Sequence, residues 1–306
     1  MSSPADIKAD WLAVDWGTSH LRVWALSASD TVLWKGASEA GMGKLARDAF
    51  ELALLSLVEP LLGERHLTAV ACGMVGSRQG WVEAPYVPVP SEPLGPDLIR
   101  APMSDGRLSV HVVPGLRQTA PADVMRGEET QIAGFLALNK EFDGIMCLPG
   151  THTKWAHVSA GEVVSFKTFM TGELFACLSG HSVLKHSTGG DGWDKNAFLS
   201  ALSDTLSRPE GLAGALFGIR ARHLLDGQNP SVSRAELSGY LIGAELAAAR
   251  PYWLGQQVAI LGADALAEAY GAALAAQGVA ATVADAERMT LAGLAAAHRA
   301  LKETTQ

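Results

Sequence analysis

The chain has 306 residues, enough for two domains of ordinary size. Hydrophobic residues make up 48% and charged residues 18%, so a sizeable core can form and extended disorder is excluded. The formal net charge of −8 argues against nucleic acid and anionic membrane surfaces as partners.

The first ten residues, Met1 to Asp10, lack a basic start followed by an apolar core and do not read as a signal peptide. No stretch approaches the roughly 18 apolar residues of a membrane span. The stretch Leu12–Leu26 predicts strand, turn and strand, with Gly17 at the bend in a conformation open to positive φ. Asp15 closes the first strand, where a carboxylate can hold hydrated Mg²⁺. Thr18 and Ser19 add hydroxyl donors, giving a phosphate-and-metal cradle. An ordinary hairpin with a polar turn fits the same stretch. Residues 31–34 continue the sheet, Gly41–Gly43 is a turn, and Arg47–Leu62 has helical spacing of Leu and Val.

Leu67–Cys72 reads as a buried strand that empties into the loop Gly73–Tyr86. A loop rich in Gly, Arg and aromatics at a strand's C-terminal end is a natural ligand site in an α/β sheet. Ser77, Arg78, Trp81, Glu83 and Tyr86 are its candidates for a polar, anionic small molecule, Arg78 because its planar fork suits a carboxylate. Residues 87–98 are Pro-rich and irregular, and Leu108–Val113 is a further strand. Gly127 then starts a helix whose first turn carries Glu128 and Glu129. Acids there favour the helix dipole; they also offer a general base.

The stretch Gly144–Val158 repeats the hairpin design around Gly150, Thr151, His152 and Thr153. Two such hairpins facing each other across a cleft can hold successive phosphates of one nucleotide. Val163–Phe169 is a strand, and Met170–Lys185 a helix capped by Thr171 with Leu174 and Leu178 in its buried stripe. His181 and His186, five apart, are not a metal pair. Residues 187–196 form a Gly/Asp-rich loop. Helices fill Phe198–Leu206, Leu212–Leu225 and Ser233–Ala249. Val258–Asp264 is a buried strand ending in a Gly turn, followed by helix 265–277, strand 280–283 and helix 290–300. Cys72, Cys147 and Cys177, odd in number and far apart, read as buried free thiols in a reducing cytoplasm.

The familiar phosphate-binding motifs are missing. Gly43-Lys44 is followed by Leu45, so the P-loop pattern is absent, and no G-x-G-x-x-G follows a first strand. The order that remains is hairpin, acidic helix start, hairpin, strand–Gly–helix. That order resembles the sugar kinase/Hsp70/actin superfamily, with Asp15–Ser19 as first phosphate segment, Leu148–Thr153 as second and Leu261–Asp264 as adenosine segment. More narrowly, the chain is similar to the 2-keto-3-deoxygalactonate kinase family. The similarity is carried by Val14–Ser19, Cys72–Tyr86, Met125–Gln131, Leu148–Lys154 and Phe169–Phe175.

The resemblance implies an α/β fold of two ribonuclease-H-like (actin-like ATPase) domains, with mixed sheets, flanking helices and a cleft between them. The expected division is 1–120, a substrate and phosphate domain, and 121–306, a nucleotide domain. The implied reaction is transfer of phosphate from ATP, with Mg²⁺, to the C6 hydroxyl of a 2-keto-3-deoxy sugar acid in galactonate catabolism. Glu128, or failing that Glu129, is the expected base, where the superfamily commonly has aspartate. Asp15 would position Mg²⁺ through water. Gly17, Thr18, Ser19, Gly150, Thr151 and Thr153 would donate to the β- and γ-phosphates, Arg22 or Lys154 would offset charge, and Gly262 would meet the adenosine. Ser77, Arg78, Trp81 and Tyr86 would take the acid. A kinase for another such acid and a non-catalytic sensor of the same fold stay open, as does homo-oligomerisation.

Overall fold

The computed structural model describes residues 7–262 and 264–305, with Asp264 and Thr305 as backbone only. The chain forms two compact units. The first runs through Phe142 and takes back residues 159–165 and the chain from Ala286 on; the second holds 143–158 and 166–285.

In the first unit, β1 (Trp11–Trp16), β2 (Leu21–Leu26) and β3 (Val32–Ser38) form an antiparallel ribbon. Helix α1 (Phe50–Leu62) follows, then β4 (Leu67–Gly73), which lies parallel to β1. The short strands β5 (Val87–Pro88) and β6 (Ile99–Arg100) precede β7 (Leu108–Val112). The six-stranded order is β3-β2-β1-β4-β7-β6. A hairpin of β8 (Leu116–Thr119) and β9 (Ala122–Met125) joins β5 in a small second sheet and delivers the chain into α2 (Glu128–Leu138). Strand β1 reads as a near-continuous apolar run because both its faces are covered. Leu12, Val14 and Trp16 meet the α1 stripe Phe50, Leu54 and Val58 on one face.

The second unit opens with β10 (Gly144–Leu148), β11 (Thr153–Ser159) and β12 (Glu162–Phe169). Helices α3 (Thr171–His181), α4 (Lys195–Ser207), α5 (Leu212–Asp226), α6 (Pro230–Ala248) and α7 (Arg250–Trp253) lead to β13 (Val258–Gly262), α8 (Asp264–Ala275) and β14 (Ala281–Asp285). The sheet order is β12-β11-β10-β13-β14, with β10 antiparallel to β11 and parallel to β13. Each sheet therefore sets an antiparallel ribbon beside parallel strands, which is the duplicated design of two ribonuclease-H-like halves. The last helix, α9 (Ala286–Thr305), belongs to the first unit. Its Leu294, Ala295 and Ala297 cover Trp11 and Ala13 of β1 and Trp24 of β2 on the other face of the sheet, and His298 stacks on Trp11 at 4.2 Å.

Several expectations change. The division at residue 120 moves, because α2 and α9 both belong to the first unit. Thr171 does not cap α3; Met170 stands at the cap position, and the Thr171 hydroxyl instead donates to Glu245. Leu174 is exposed and Leu178 half-buried, so α3 lacks the expected buried stripe. Cys72 and Cys147 are buried, but Cys177 is exposed. The β8–β9 hairpin was invisible to pattern reading because its strands are four residues long. The reading of Met1 to Asp10 falls mostly outside the described residues. No helix among the described residues is long and apolar enough to cross a membrane.

Candidate active site

The first hairpin places Asp15 opposite Arg22 in the β1–β2 register, and the Arg22 guanidinium donates to Asp15 Oδ2. Burial pushes the Asp15 carboxyl above its ordinary range, Arg22 pulls it back, and Glu287 adds a smaller push. The turn itself closes with the Gly17 N–H donating to the His20 carbonyl at 3.0 Å. Gly17 does not adopt positive φ, and neither does Gly150. Glycine leaves these turns without a side chain, so their backbone stays open to approach. A second turn props the first: Met42 N–H donates to Gly17 O and Gly43 N–H to Thr18 O, both at 2.9 Å. Thr18 and Ser19 are exposed at its rim.

Strand β4 ends beside the same carboxylate. Gly73 has φ +91°, and a Cβ there would lie 2.8 Å from the Trp16 carbonyl oxygen and 3.6 Å from Asp15 Oδ1. Gly127, with φ +105°, approaches in turn: its Cβ would lie 3.4 Å from Gly73 Cα. Two glycines thus bring the start of α2 against the end of β4, next to Asp15. Glu129 is fully buried there. Its Oε2 accepts from Gly127 N–H at 2.6 Å and its Oε1 from the Thr130 hydroxyl at 3.0 Å. Burial, reinforced by the neighbouring Glu128 charge, raises the Glu129 carboxyl to about 8. Glu128 is half-buried, and its Oε2 accepts from the Arg126 backbone N–H at 3.0 Å. Cys72, 4.0 Å from Asp15 Oδ1, is kept as a thiol by burial and by the Asp15 and Glu129 charges.

The loop after β4 splits the expected substrate residues. Trp81 is a core residue, packed among Trp16 and Phe50, so it leaves the binding set. Arg78 and Glu83 are exposed. Ser77 is buried, and Tyr86 is half-buried with its ring under the guanidinium of Arg126. Arg126 was missed in the sequence because it sits beside the more conspicuous acid pair.

In the second unit, Gly150 and Thr151 form the turn between β10 and β11. Thr153 and Lys154 face inward instead. The Thr153 hydroxyl pairs with that of Tyr270 at 3.0 Å, and Lys154, 4% exposed, donates to the His152 carbonyl at 3.1 Å. Tyr270 in turn donates to Glu245 Oε2 at 2.8 Å, and Trp155 Nε1 to Glu245 Oε1 at 2.8 Å. Burial raises the Glu245 carboxyl, and the donors from Thr171, Trp155 and Tyr270 oppose that rise. One buried carboxylate thus ties β11, α3, α6 and α8 around the turn. A cavity of about 790 Å³ opens beside it, lined among others by Gly150, Thr171, Phe175, Trp193, Arg234 and Tyr270. Its size suits a nucleoside-sized ligand. The sequence reading missed this wall, for which Trp193, an aromatic in the Gly/Asp-rich loop 187–196, is the available signal. Gly262 is buried at the end of β13 against Ala267 and Pro149. Ala263, in the same expected adenosine segment, lies outside the described residues.

Among the described residues no group of three or more His, Cys, Asp or Glu side chains could hold a metal ion. Asp15 alone, with phosphate oxygens and water, is a donor set that fits Mg²⁺, which keeps most of its water shell.

Comparison with known proteins places this geometry in a family. The family model described as 2-keto-3-deoxy-galactonokinase matches residues 15–297. The Rhizobium meliloti (strain 1021) protein named "Probable 2-dehydro-3-deoxygalactonokinase DgoK1" is 38% identical, over 95% of this chain and 97% of its own length. The Escherichia coli (strain K12) 2-dehydro-3-deoxygalactonokinase is 34% identical, over 94% and 96%. A Sinorhizobium meliloti crystal structure described under the same enzyme name superposes with a TM-score of 0.89 at 37% identity, covering 95% of this chain and 99% of that one. The Clostridium difficile activator of 2-hydroxyisocaproyl-CoA dehydratase, at 11% identity and a TM-score of 0.50 over 96% and 97%, shares the fold alone. The chain has a mixed α/β, actin-like ATPase fold and belongs to the 2-keto-3-deoxy-galactonokinase family.

Proposed function

We propose that the protein phosphorylates 2-keto-3-deoxygalactonate at its C6 hydroxyl with ATP, giving the 6-phosphate and ADP, as a step of galactonate catabolism in the cytoplasm. The observation that carries this reading is the contact of Gly73 with Gly127, which sets the acidic start of α2 beside Asp15. The names of the full-length relatives supply the substrate.

Glu128 is the base. It is half-buried at the start of α2, whereas Glu129 is fully buried there. Glu128 takes the proton of the C6 hydroxyl as that oxygen bonds to the γ-phosphorus. The bond from phosphorus to the β–γ bridging oxygen breaks, and ADP leaves with those electrons. Such transfers are positioning and electrostatics more than covalent chemistry. Asp15 would hold Mg²⁺ through water, and the ion, when bound, draws charge from the phosphate oxygens. Amides and hydroxyls at Gly17, Thr18, Ser19, Gly150 and Thr151 are the phosphate donors, and Arg22 offsets charge at the rim while holding Asp15. Thr153 and Lys154 support the second turn from within. The cavity walled by Phe175, Trp193 and Arg234 takes the nucleoside, and Gly262 lies at the adenosine segment. Ser77, Arg78 and Tyr86 remain the loop's groups for the sugar acid.

The test is ATP consumption, read as ADP release, with Mg²⁺ and each C4 epimer of 2-keto-3-deoxyhexonate supplied separately. Turnover with the galacto form is expected. No turnover with it, alongside intact ATP binding, overturns the reading.

A further inference from the structure

Arg126 joins β9 to α2, and its side chain is 8% exposed. Nη2 donates to the Ala84 carbonyl at 2.7 Å, and the guanidinium lies on the Tyr86 ring, 4.3 Å from its centroid. Nε and Nη1 have no hydrogen-bond partner among the described residues, and no carboxylate there pairs with the charge. The two unpartnered nitrogens belong to different edges of the guanidinium, each edge shared with Nη2. A Cβ on Gly76 would lie 2.8 Å from Nη1, and the next residue, Ser77, is 4% exposed with its Oγ also unpartnered.

Such a group is not there for packing alone. A guanidinium keeps its charge in a protein, and a buried charge is costly unless it is paired. Native folds leave few buried donors unsatisfied. Stacking on Tyr86 covers a face of the guanidinium but uses none of its in-plane N–H groups, and with one Nη2 N–H given to Ala84 a single edge of two parallel N–H groups is left to match a carboxylate.

We propose that Arg126, with Ser77 beside it, seats the carboxylate of the sugar acid. This rests on the kinase reading above and sharpens it. The carboxylate at C1 and the accepting hydroxyl at C6 are opposite ends of the substrate. Arg126 precedes Glu128 by two residues, and its backbone N–H donates to the Glu128 carboxylate. One short segment therefore holds the acid end and carries the base that meets the other end. Specificity for an acid over a neutral sugar is built into the turn that leads to α2, and Arg126 is a specificity-determining residue.

The test compares R126Q, R126K and S77A with the parent chain, using 2-keto-3-deoxygalactonate and its neutral C1 amide as phosphate acceptors. The parent is expected to prefer the acid over the amide by about 10²-fold in kcat/KM, the scale of a lost buried charge pair. R126Q should raise KM for the acid about 10²-fold, leave KM for ATP within about twofold, and abolish the preference for the acid. R126K keeps a point charge without the fork and should fall between; S77A should raise KM for the acid several-fold. Unchanged acid preference in R126Q overturns the proposal, and so does an equal rise in both KM values, which would assign the seat to a nucleotide phosphate. Where R126Q gives no cooperative melt, R126K and the parent decide; a parent that uses amide and acid alike overturns it. A parent without any turnover on the acid overturns the kinase reading instead. Calorimetric binding of the acid to the parent and R126Q then tests the seat alone, and equal affinity refutes it.

Discussion

A Cβ on Gly172 would lie 2.2 Å from the carbonyl oxygen of Gly150 and 2.9 Å from Thr151 Cα. The first turn of α3 therefore rests directly on the second hairpin turn, and Glu173 N–H donates to the Thr151 carbonyl at 2.9 Å. Backbone faces backbone, so no flexible side chain can yield. Gly172→Ala should destabilise the fold by about 1–3 kcal/mol, the usual cost of overpacking. It should also raise KM for ATP more than KM for the sugar acid. Melting curves and the two KM values check this. A variant with the parent's melting temperature and both KM values unchanged would detach this contact from the nucleotide site.

The adjacent acids at the start of α2 should separate by role. Glu128→Gln is expected to lower kcat by about 10²–10⁴, the range for loss of a general base. Glu129→Gln keeps an acceptor for Gly127 N–H and should hold kcat within about tenfold. Single-turnover rates at saturating ATP make the comparison independent of product release. The reverse ranking would move the base to Glu129.

Glu129 also links stability to pH. Its carboxyl, raised to about 8 in the fold from an ordinary 4.5, binds a proton more readily folded than unfolded. Between those values the folded state holds the extra proton, so stability falls as pH rises, by on the order of 5 kcal/mol in total. Glu129→Gln removes this dependence. The melting temperature of the variant relative to the parent should climb from pH 5 to pH 9; a constant difference would show that Glu129 does not titrate in this window.

Much of this arrangement was legible in the sequence, for stated reasons. Both hairpins announce themselves because their strands are apolar runs broken by a Gly/Thr turn, and Asp15 ends a strand where few acids belong. Gly127 before Glu128 marks a helix start. What stayed hidden depends on pairings far apart in the chain. Trp81 read as a ligand group because loop aromatics often are, but Phe50 and Trp16 claim it for the core. Thr171 read as a cap until Glu245, 74 residues away, took its hydroxyl. Arg126 could not be distinguished from an ordinary surface arginine, since its burial follows from the β8–β9 hairpin and from Tyr86. The return of α9 to the first unit has no local signal, because an amphipathic helix does not name the sheet it covers.

Asp15 and Arg22 give the last prediction. In the proposed mechanism Asp15 must be ionised to hold Mg²⁺ through water, yet burial raises its carboxyl and only Arg22 and its hydrogen bond pull it down. Chelation of the metal should abolish turnover in the parent chain. Asp15→Asn should cost about 10²-fold or more in kcat and raise the Mg²⁺ concentration for half-activation, since a fixed charge at the phosphates is lost. Metal-free ATP binding should change little. Arg22→Gln tests the electrostatics from the other side. Removing the guanidinium removes what favours the ionised form, so the carboxyl moves further up. Activity that needs the carboxylate is then lost at a higher pH on acidification, and the acid limb of kcat against pH shifts upward. At alkaline pH the variant should recover most of its Mg²⁺ dependence, because Asp15 is ionised there without help. If the acid limb stays where it is in the parent, Asp15 is not the group whose ionisation the reaction requires.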